Sequence, residues 1–375
     1  MALPLAGDLR QPHPQGARHR RQGRSAERTG DAARTRRGSR LSHHRGRRQL
    51  TTGLLDARSR IDLVPAPSSP LFIVNPIAGS GRAHGLAPRI EAWMAEQGIH
   101  GRLLETRERG HAERLAAEAA DLGHDRVIAV GGDGTIQEVL NGLMATGLGP
   151  DGGVPLMGIV PAGRGNDVAR GVGLPPNDPI GSLPVAAGEA TQPFDVGKAS
   201  DDGGAIRYFA AAGGVGFDAQ VAWTMAFNRK AWMRGEAGYF LATLNELRRF
   251  RNRDLRVTLR GDDGARVVDQ RSLFIAFANG PYYGGGMQIC PGASTNDGWL
   301  DICIVGDLSR FEALRELPGI YRARHVNNPK VEIVQARALR IEGDAETRVH
   351  LDGEPFGGLP LEVSVLPGAV RVAVA

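Results

Sequence analysis

Residues 130–135 read Val-Gly-Gly-Asp-Gly-Thr. They follow a short apolar run, Arg126–Val130, and open a stretch, Thr135–Ala145, whose apolar residues recur at helical spacing. Glycines let the backbone approach a ligand closely, and a helix N-terminus offers free N–H groups to phosphate. A carboxylate in such a turn, that of Asp133, repels a phosphate unless Mg²⁺ lies between them. The stretch therefore favours a phosphate and magnesium site, and the alternative is an ordinary glycine-rich turn capped by Asp133.

Two more glycine-rich turns follow predicted strands. Residues 75–82 read NPIAGSGR and follow the apolar run Leu71–Asn75, and residues 161–167 read PAGRGND and follow the run Val154–Val160. Because the carboxyl ends of parallel strands lie at one edge of a sheet, we expect the three turns to meet. Each turn alone is more often structural, but the three together indicate a nucleotide-phosphate site. No Walker A, HExxH or GxSxG pattern occurs, and no GxGxxG fingerprint leads from a predicted strand into a helix, which excludes the enzyme classes that those patterns define.

The order of predicted elements changes once along the chain. The first part alternates strands with helices, as in a doubly wound parallel sheet. From Phe194 onward, period-two segments with Gly/Asp turns are typical of an antiparallel β-sandwich or barrel, with a helical insertion near residues 218–250. The predicted fold is α/β plus all-β, with a doubly wound nucleotide-binding domain (68–193), an antiparallel β-sandwich domain (194–375) and an active site in the cleft between them. The predicted elements include helices at Leu86–Gln97, His111–Leu122 and Thr135–Ala145, and period-two segments at Tyr208–Ala212, Leu255–Arg260, Leu273–Ala278, Leu300–Val305, Val331–Ile341, Val349–Asp352, Leu361–Val365 and Val370–Val374.

The basic excess of the chain is confined to its N-terminal part. The chain has 375 residues, with 46 Lys+Arg and 41 Asp+Glu, and its formal net charge is +5. Residues 1–60 contain 15 Arg, no Lys and 4 acidic residues, which gives +11 and leaves −6 for residues 61–375. This distribution argues against a nucleic-acid partner for the body of the chain. Residues 1–67, rich in Arg, Gly, Ser and Pro, are predicted to be a disordered basic tail and linker.

Three interpretations of this tail stay open. It holds the protein near an anionic membrane leaflet, where each basic residue adds about 1 kcal/mol. It binds nucleic acid without sequence specificity. In the third interpretation, the tail is not part of the translated protein, because the start codon has been assigned too far upstream.

Cysteine content indicates a reducing compartment, and hydropathy predicts neither a membrane span nor a signal peptide. The two cysteines, Cys290 and Cys303, form neither a disulfide framework nor a CxxC metal site. No stretch reaches the ~18–20 apolar residues of a membrane span. The first residues also lack an apolar run long enough for a signal peptide. We therefore expect a cytoplasmic protein.

Several short motifs occur in a fixed order between Leu71 and Ala375. They are Asn75-Pro76-x-Ala78-Gly79, Thr106 with Gly110-His111-Ala112, Gly131–Glu138, Pro161–Asp167 with Ala169-Arg170, Asn279–Gly286, Asn296–Asp301 and Leu351-Asp352-Gly353-Glu354. This ordered set resembles the diacylglycerol kinase catalytic-domain family, and most closely its soluble bacterial lipid kinases, which include diacylglycerol kinases and relatives of sphingosine kinases. The GGDGT turn alone is shared with NAD kinases and phosphofructokinases, so the order of the motifs makes the resemblance specific.

The resemblance implies an ATP-dependent lipid kinase that needs Mg²⁺. Such an enzyme transfers the γ-phosphoryl group of ATP to the hydroxyl of a membrane lipid, diacylglycerol or a similar one. The implied nucleotide-binding residues are Asn75, Pro76, Ala78, Gly79, Arg82, Thr106, Gly131, Gly132, Asp133, Gly134, Thr135, Gln137, Arg164 and Asn166.

The resemblance also implies metal and proton-transfer roles. Asp133 and Asp167 would organise the catalytic Mg²⁺, partly through water. The Asp-Gly-Glu turn would supply the base that accepts the proton of the lipid hydroxyl, and we favour Glu354 over its close competitor Asp352. The implied ligands of a second metal, in the β domain, are Asp297 and the backbone carbonyls of Ser294 and Trp299.

Two positions depart from the family pattern. Arg164 stands where Thr is common, and Gln137 stands where Asn is common. Arginine can hold a phosphate through two hydrogen bonds, which Thr cannot do, so nucleotide preference and lipid identity stay open. Two other functions also stay open: a kinase of the NAD-kinase type that acts on a soluble substrate, and a catalytically silent lipid- or nucleotide-binding protein.

The insertion near residues 218–250 is rich in aromatic residues. Trp223 and Trp232 lie among basic residues such as Arg229. This mixture suits transient peripheral contact with the inner face of the membrane, or a cover over an acyl-chain pocket. The alternative is a helix packed on the β domain or in a homodimer contact. The run Arg248–Arg253 is either a solvated helix end or a contact for anionic headgroups.

Overall fold

The computed structural model describes residues 69–119, 121–147, 155–227 and 236–375. The disordered tail and linker predicted at residues 1–67 lie outside the described residues, and so do residues 228–235 of the predicted insertion. Within the described ranges, no helix is long and apolar enough to cross a membrane.

The strands and helices alternate in the first half of the body and change to mainly strands in the second half. The strands are β1 (Pro70–Val74), β2 (Arg102–Glu105), β3 (Arg126–Gly131), β4 (Leu156–Pro161), β5 (Thr191–Asp201), β6 (Ile206–Phe209), β7 (Ala212–Gly216), β8 (Arg253–Gly261), β9 (Gly264–Ser272), β10 (Phe274–Ala278), β11 (Leu300–Val305), β12 (Val331–Ala336), β13 (Ala338–Glu342), β14 (Val349–Leu351), β15 (Glu354–Phe356) and β16 (Leu361–Ala373). The helices are α1 (Ala78–Gly81), α2 (Leu86–Gln97), α3 (His111–Glu118), α4 (Asp133–Ala145), α5 (Asp167–Gly171), α6 (Leu183–Ala186), α7 (Phe217–Phe227), α8 (Glu236–Arg249) and α9 (Arg310–Ile320).

The first sheet begins as a parallel sheet in the order β2-β1-β3-β4. β1 and β3 are buried along their whole length, as expected for apolar strands that helices cover on both faces. α3 and α4 pack on one face through residues such as Ala116 and Leu140. α2 covers the other face through Ile90 and Met94. This arrangement brings the carboxyl ends of β1, β3 and β4 to one edge, where ligands bind in such sheets.

The C-terminal strand joins the two halves of the body. β16 pairs in parallel with β4 at Val372 and Met157, and antiparallel with β5 along most of its length. The same sheet then continues through β13, β8 and β9. A register shift between Leu366 and Val370 interrupts the ladder of β16, as at a β-bulge, which bends a strand. Because this sheet passes through both halves and β5 spans residue 193, the domain boundaries given above remain a prediction.

The second sheet is antiparallel, in the order β12-β11-β10-β7-β14-β15. It packs against the antiparallel part of the first sheet through Phe277 and Ile302, which meet Phe209, Leu339 and Val363. The rings of Phe209 and Phe277 contact edge to face, with centroids 5.4 Å apart. The predicted fold class, an α/β domain followed by an antiparallel β-sandwich, is therefore confirmed.

Helices α7, α8 and α9 cover the outer face of the second sheet. Phe217, Leu247 and Ala313 of these helices share one core with Phe274 and Cys303 of the sheet. The predicted insertion near residues 218–250 thus contains two helices that pack on the β domain.

Two local predictions differ from the structure, and one strand, β9, has no counterpart among the predicted segments. The segment predicted as one strand, Val331–Ile341, forms two strands in different sheets, because the chain crosses between the sheets at Arg337. The helix predicted to reach Leu122 ends at Glu118. β9 has little sequence signal, because most of its residues are exposed, as on the edge of a sheet.

Candidate active site

Three turns at the carboxyl ends of β1, β3 and β4 lie against one another. The names used below are turn 1 (residues 75–82), turn 2 (residues 131–135) and turn 3 (residues 161–167). A Cβ atom built on Gly79 would collide with the carbonyl oxygen of Ala162, and one built on Gly163 would collide with the Cα atom of Gly132. The turns approach this closely because these glycines carry no side chain.

Side-chain hydrogen bonds connect the three turns. Asn75, at the end of β1, donates through Nδ2 to Oγ1 of Thr135 over 3.0 Å, which links turn 1 to turn 2. Arg82 of turn 1 donates to a carbonyl of turn 3. Arg164 of turn 3 donates to a hydroxyl of turn 1. The arginine that departs from the family pattern therefore bridges two of the turns.

Turns 2 and 3 each bring a buried aspartate to the same place. Asp133 accepts a hydrogen bond from the N–H of Val168 at 3.1 Å. Asp167 accepts from the two N–H groups of residues 285–286, both at 2.7 Å. A Cβ atom built on Gly165 would lie 2.9 Å from Oδ2 of Asp133 and 3.3 Å from Oδ2 of Asp167. The two carboxylates therefore face the same space.

Burial and mutual repulsion change the acidity of this pair. Burial raises the pKa of Asp133 above its ordinary value. Burial, and then the neighbouring charge of Asp133, raise the pKa of Asp167 to about 7. A divalent cation would offset both the burial of these carboxylates and the repulsion between them. Mg²⁺ in proteins is often held by one or two carboxylates together with phosphate oxygens and water. Within the described residues, no group of three or more His, Cys, Asp or Glu could hold a metal ion, so this pair fits Mg²⁺ only with ligands from phosphate and water.

Asp352 serves as an anchor for the turn between β14 and β15. Its carboxylate accepts three hydrogen bonds from the successive N–H groups of residues 210–212, at 2.8, 2.9 and 3.1 Å. Its own N–H donates to the carbonyl of Ala212 at 2.7 Å. Burial raises the pKa of Asp352 to about 6 despite these bonds. Both carboxylate oxygens are engaged with backbone, which leaves Asp352 less available as a base.

Glu354 is placed differently, although it lies only two residues further on. Its side chain is 37% exposed and forms an ion pair with Arg109. A Cβ atom built on Gly134 would lie 3.7 Å from Oε1 of Glu354. Glu354 therefore reaches over turn 2, with its carboxylate open to the cleft.

The three turns and Glu354 surround a cleft of about 400 Å³. The predicted nucleotide-binding residues that line it are Asn75, Ala78, Gly79, Thr106, Gly132, Gly134, Thr135, Gln137 and Arg164. The predicted residues that are not among its lining are Pro76, Arg82, Gly131, Asp133 and Asn166. Asn166 instead holds turn 3, because its Oδ1 accepts from the N–H of Gly163 at 2.9 Å. Arg109, Glu138, Arg207 and Glu354 also line a second cavity of about 350 Å³ beside the first.

The residues of the predicted second metal site lie in the turn before β11. The carboxylate of Asp297 accepts from the N–H of Trp299 at 3.0 Å. The hydroxyl of Ser294 donates to the side chain of Asn296 at 2.9 Å. None of these residues is in the lining of the cleft. A metal ion at this turn stays a prediction.

One buried pair of side chains, His350 and Asp218, could not be predicted from the sequence pattern. Nε2 of His350 and Oδ2 of Asp218 lie 3.2 Å apart, and both side chains are buried. Nδ1 of His350 accepts from the N–H of Gly353 at 3.2 Å, so the remaining ring proton is on Nε2 and points to Asp218. Tyr283 stacks on the His350 ring. His350 and Asp218 are far apart in sequence, so only the fold brings them together beneath the Asp-Gly-Glu turn.

Comparison with known proteins identifies the family of this chain. Residues 69–199 match the family model of the diacylglycerol kinase catalytic domain, and residues 211–374 match that of the YegS C-terminal NAD kinase beta sandwich-like domain. The chain is 33% identical over 300 residues to the diacylglycerol kinase of Mycobacterium tuberculosis, which covers 80% of this chain and 93% of that protein. The chain belongs to the diacylglycerol kinase family.

Other relatives in this diacylglycerol kinase family cover similar shares of the chain. The probable lipid kinase YegS-like of Serratia proteamaculans is 34% identical over 309 residues, which is 82% of this chain and 93% of that one. A crystal structure from Bacillus anthracis str. Sterne, of a protein assigned as a diacylglycerol kinase, is 27% identical with a TM-score of 0.64 and covers 82% of this chain and 97% of that chain. Membership in this family supports the assignment of the protein as a kinase, and a kinase activity implies ATP as the phosphoryl donor.

Proposed function

We propose that the protein transfers the γ-phosphoryl group of ATP to the hydroxyl of a membrane lipid, diacylglycerol or a similar one. The observation that carries this proposal is the position of Glu354 over turn 2, facing the cleft that the three turns form. The names of its relatives support a lipid as the acceptor. The ordinary needs of phosphoryl transfer, positioning and charge neutralisation, match what this site offers.

The nucleotide phosphates would lie along turns 1 and 2. Gly79, Gly132 and Gly134 leave the backbone open to the cleft. The N-terminus of α4, which begins at Asp133, favours negative charge at this position. Arg164 lines the same cleft, and its guanidinium can pair with a phosphate when it leaves its hydroxyl partner in turn 1.

Mg²⁺ would be held by Asp133 of turn 2 and Asp167 of turn 3, beside Gly165. When bound, the ion neutralises charge on the phosphate oxygens. The protein's own part is to hold the two carboxylates in place: N–H groups of residues 168, 285 and 286 donate to them.

Glu354 would accept the proton of the lipid hydroxyl, and Asp352 would fix the turn that carries it. An exposed carboxylate can take a proton late in the transfer, when the hydroxyl oxygen has already begun to bond to phosphorus. Arg109 keeps Glu354 over turn 2 through their ion pair. Arg109 also lines the cleft, where a cation can stabilise the transferring group.

The acceptor lipid places the enzyme at a membrane surface. We propose a cytoplasmic protein that contacts the inner face of the membrane transiently, as a monomer or as a homodimer. Nothing in the acidic body favours nucleic acid as a partner.

The test is the identification of the phosphorylated product. Full-length protein would be incubated with radiolabelled ATP, Mg²⁺ and a total lipid extract in mixed micelles. The expected result is a labelled lipid phosphate, and diacylglycerol added alone would yield labelled phosphatidic acid. Label transferred to NAD and to no lipid would support the NAD-kinase alternative, which shares the GGDGT turn. Tight ATP–Mg²⁺ binding without any transfer would support a silent binding protein.

A further inference from the structure

An exposed basic and apolar surface lies on α9 and the turn that follows it. The residues of this α9 surface are Phe311, Leu314, Arg315, Tyr321, Arg322 and Arg324, all exposed. The side chains of Phe311, Tyr321 and Leu314 are 77%, 48% and 40% exposed. Residues at positions 311, 314, 315 and 318 recur at helical spacing, so they share one side of α9, and Tyr321, Arg322 and Arg324 follow the helix directly.

The opposite side of α9 is firmly packed. Ala313 and Ile320 lie in the core with Phe274 and Cys303 of the second sheet. The helix begins at a capping box, in which Ser309 and Glu312 each accept a hydrogen bond from the other's N–H. His325 contacts the carbonyl of Ile289 at 2.9 Å just beyond the helix. The exposed rings are thus presented by a well-anchored helix.

The charge of this surface has one sign. Arg322 and Arg324 have no ion-pair partner among the described residues, and Arg315 pairs only with Glu316, at 3.7 Å. Glu312 is already tied to Lys330 at 2.9 Å. The end of α8 adds to the positive charge, because Arg310 contacts the carbonyl of residue 250 and residues 248, 249 and 251 are exposed arginines.

We infer that the α9 surface docks the protein on an anionic lipid bilayer. Exposed apolar rings among arginines match an interface where rings enter the headgroup region and guanidinium groups meet lipid phosphates. Positive charge without acidic partners is complementary to an anionic leaflet. The inference rests on the proposed function, because a lipid substrate is the reason for the protein to approach a bilayer. The membrane contact would lie on α9, outside the predicted insertion. Trp223 of that insertion is packed instead: its Nε1 donates to the carbonyl of Val349 and Arg348 stacks on its ring.

The experiment measures co-sedimentation of the full chain with vesicles of phosphatidylcholine, with and without phosphatidylglycerol. The variant reverses two charges, Arg315→Glu with Arg322→Glu, and a second variant is Phe311→Ser. The control, Arg89→Glu with Arg102→Glu, reverses two exposed arginines on the α/β domain. Loss of two basic contacts is expected to weaken partitioning to anionic vesicles on the order of 30-fold. Phe311→Ser should weaken it several-fold, and the control variant should differ little from wild type beyond its effect on overall charge.

The outcomes separate this inference from the proposed function. Equal vesicle binding by the variant with reversed charges on α9 and by the control variant would overturn the assignment of the α9 surface as the docking site. This would hold even if lipid kinase activity were found. Selective loss of binding in the α9 reversal would support the surface, even if no lipid were phosphorylated. Concentration-dependent self-association that the α9 reversal abolishes, without vesicle binding, would identify a second copy of the chain as the occupant and would also overturn the inference. Thermal unfolding followed by circular dichroism, with Tm values equal to that of the wild type, would show that the variants remain folded whether or not a lipid is phosphorylated.

Discussion

At the scale of single residues, two carboxylates in one turn have different surroundings. Asp352 is buried and accepts three backbone hydrogen bonds. Glu354 is open to the cleft and paired with an arginine. Because the accessible carboxylate can meet a substrate hydroxyl and the buried one cannot do so without breaking its hydrogen bonds, the geometry favours Glu354 as the base.

His350 is expected to position this turn. His350→Ala removes the acceptor of the Gly353 N–H and the partner of Asp218, so kcat should fall about tenfold or more while the affinity for ATP stays nearly constant. His350→Asn can still accept from Gly353 and should retain more activity than the alanine variant. Steady-state kinetics of both variants check this. Equal losses in kcat for the two, or a loss confined to stability, would show that the histidine has only a structural role.

Gly79 is expected to be irreplaceable in turn 1. Its φ of 59° lies in the left-handed region and a Cβ there would collide with Ala162. Gly79→Ala should cost at least about 1–2 kcal/mol of unfolding free energy and should weaken ATP binding. Gly292→Ala is the matched control, because nothing lies within 4 Å of its Cβ position. Urea denaturation and ATP titration measure both effects, and equal stability of the two variants would contradict the packing described.

At the scale of elements, three strand ends place three turns together, and the local pattern already predicts this. Apolar runs followed by Gly-rich turns indicate parallel strands, and parallel strands align their carboxyl ends. The sequence pattern cannot predict the contact of His350 with Asp218 or the ion pair of Arg109 with Glu354. Those pairs depend on long-range strand pairing. For the same reason, the division of Val331–Ile341 between two sheets has no local signal, since both halves share a period of two.

The buried carboxylates of Asp167 and Asp352 are also expected to make stability depend on pH, and the pair Asp133 and Asp167 is expected to make it depend on Mg²⁺. The pKa values of Asp352 and Asp167, about 6 and about 7, exceed the 3.8 of an unperturbed aspartate. The folded state therefore binds more protons, and this contribution to stability is full below about pH 4 and is lost as pH rises through about 6 and 7. Without Mg²⁺, the contribution of these groups lowers Tm between about pH 5 and pH 8. Mg²⁺ should raise Tm more at the higher pH, because it binds the deprotonated carboxylates.

Thermal denaturation with and without Mg²⁺ at both pH values tests this coupling. Asp167→Asn should reduce both the pH dependence and the Mg²⁺ effect. An increase in Tm on adding Mg²⁺ that is the same at both pH values, or that survives in Asp167→Asn, would argue against these carboxylates as the metal site.

At the scale of the whole molecule, one sheet runs from the α/β part into the β-sandwich. β16 carries this continuity, since it pairs with β13 near its first residues and with β4 near its last residues. The sequence predicts the two classes of structure correctly from their periodicities. It cannot predict that the last strand of the chain returns to the first sheet, because strand pairing between distant segments leaves no local pattern.

This continuity is expected to make unfolding cooperative. Residues in both halves share strands, so separating them would break the pairing of β16 with β5 and β13. Urea unfolding should therefore show one transition for tryptophan fluorescence and for circular dichroism. Two separated transitions would indicate that the halves unfold independently.

The catalytic assignment depends most directly on Glu354. Glu354→Gln keeps the shape of the side chain and removes its ability to accept a proton, and Glu332→Gln is the control, because Glu332 is another exposed glutamate paired with an arginine. The measurement is kcat for lipid phosphorylation, with ATP–Mg²⁺ affinity determined separately by calorimetry. We expect kcat to fall on the order of 10²–10⁴-fold for Glu354→Gln, with ATP affinity nearly unchanged and the control fully active. Full activity of Glu354→Gln would contradict the assignment of the base.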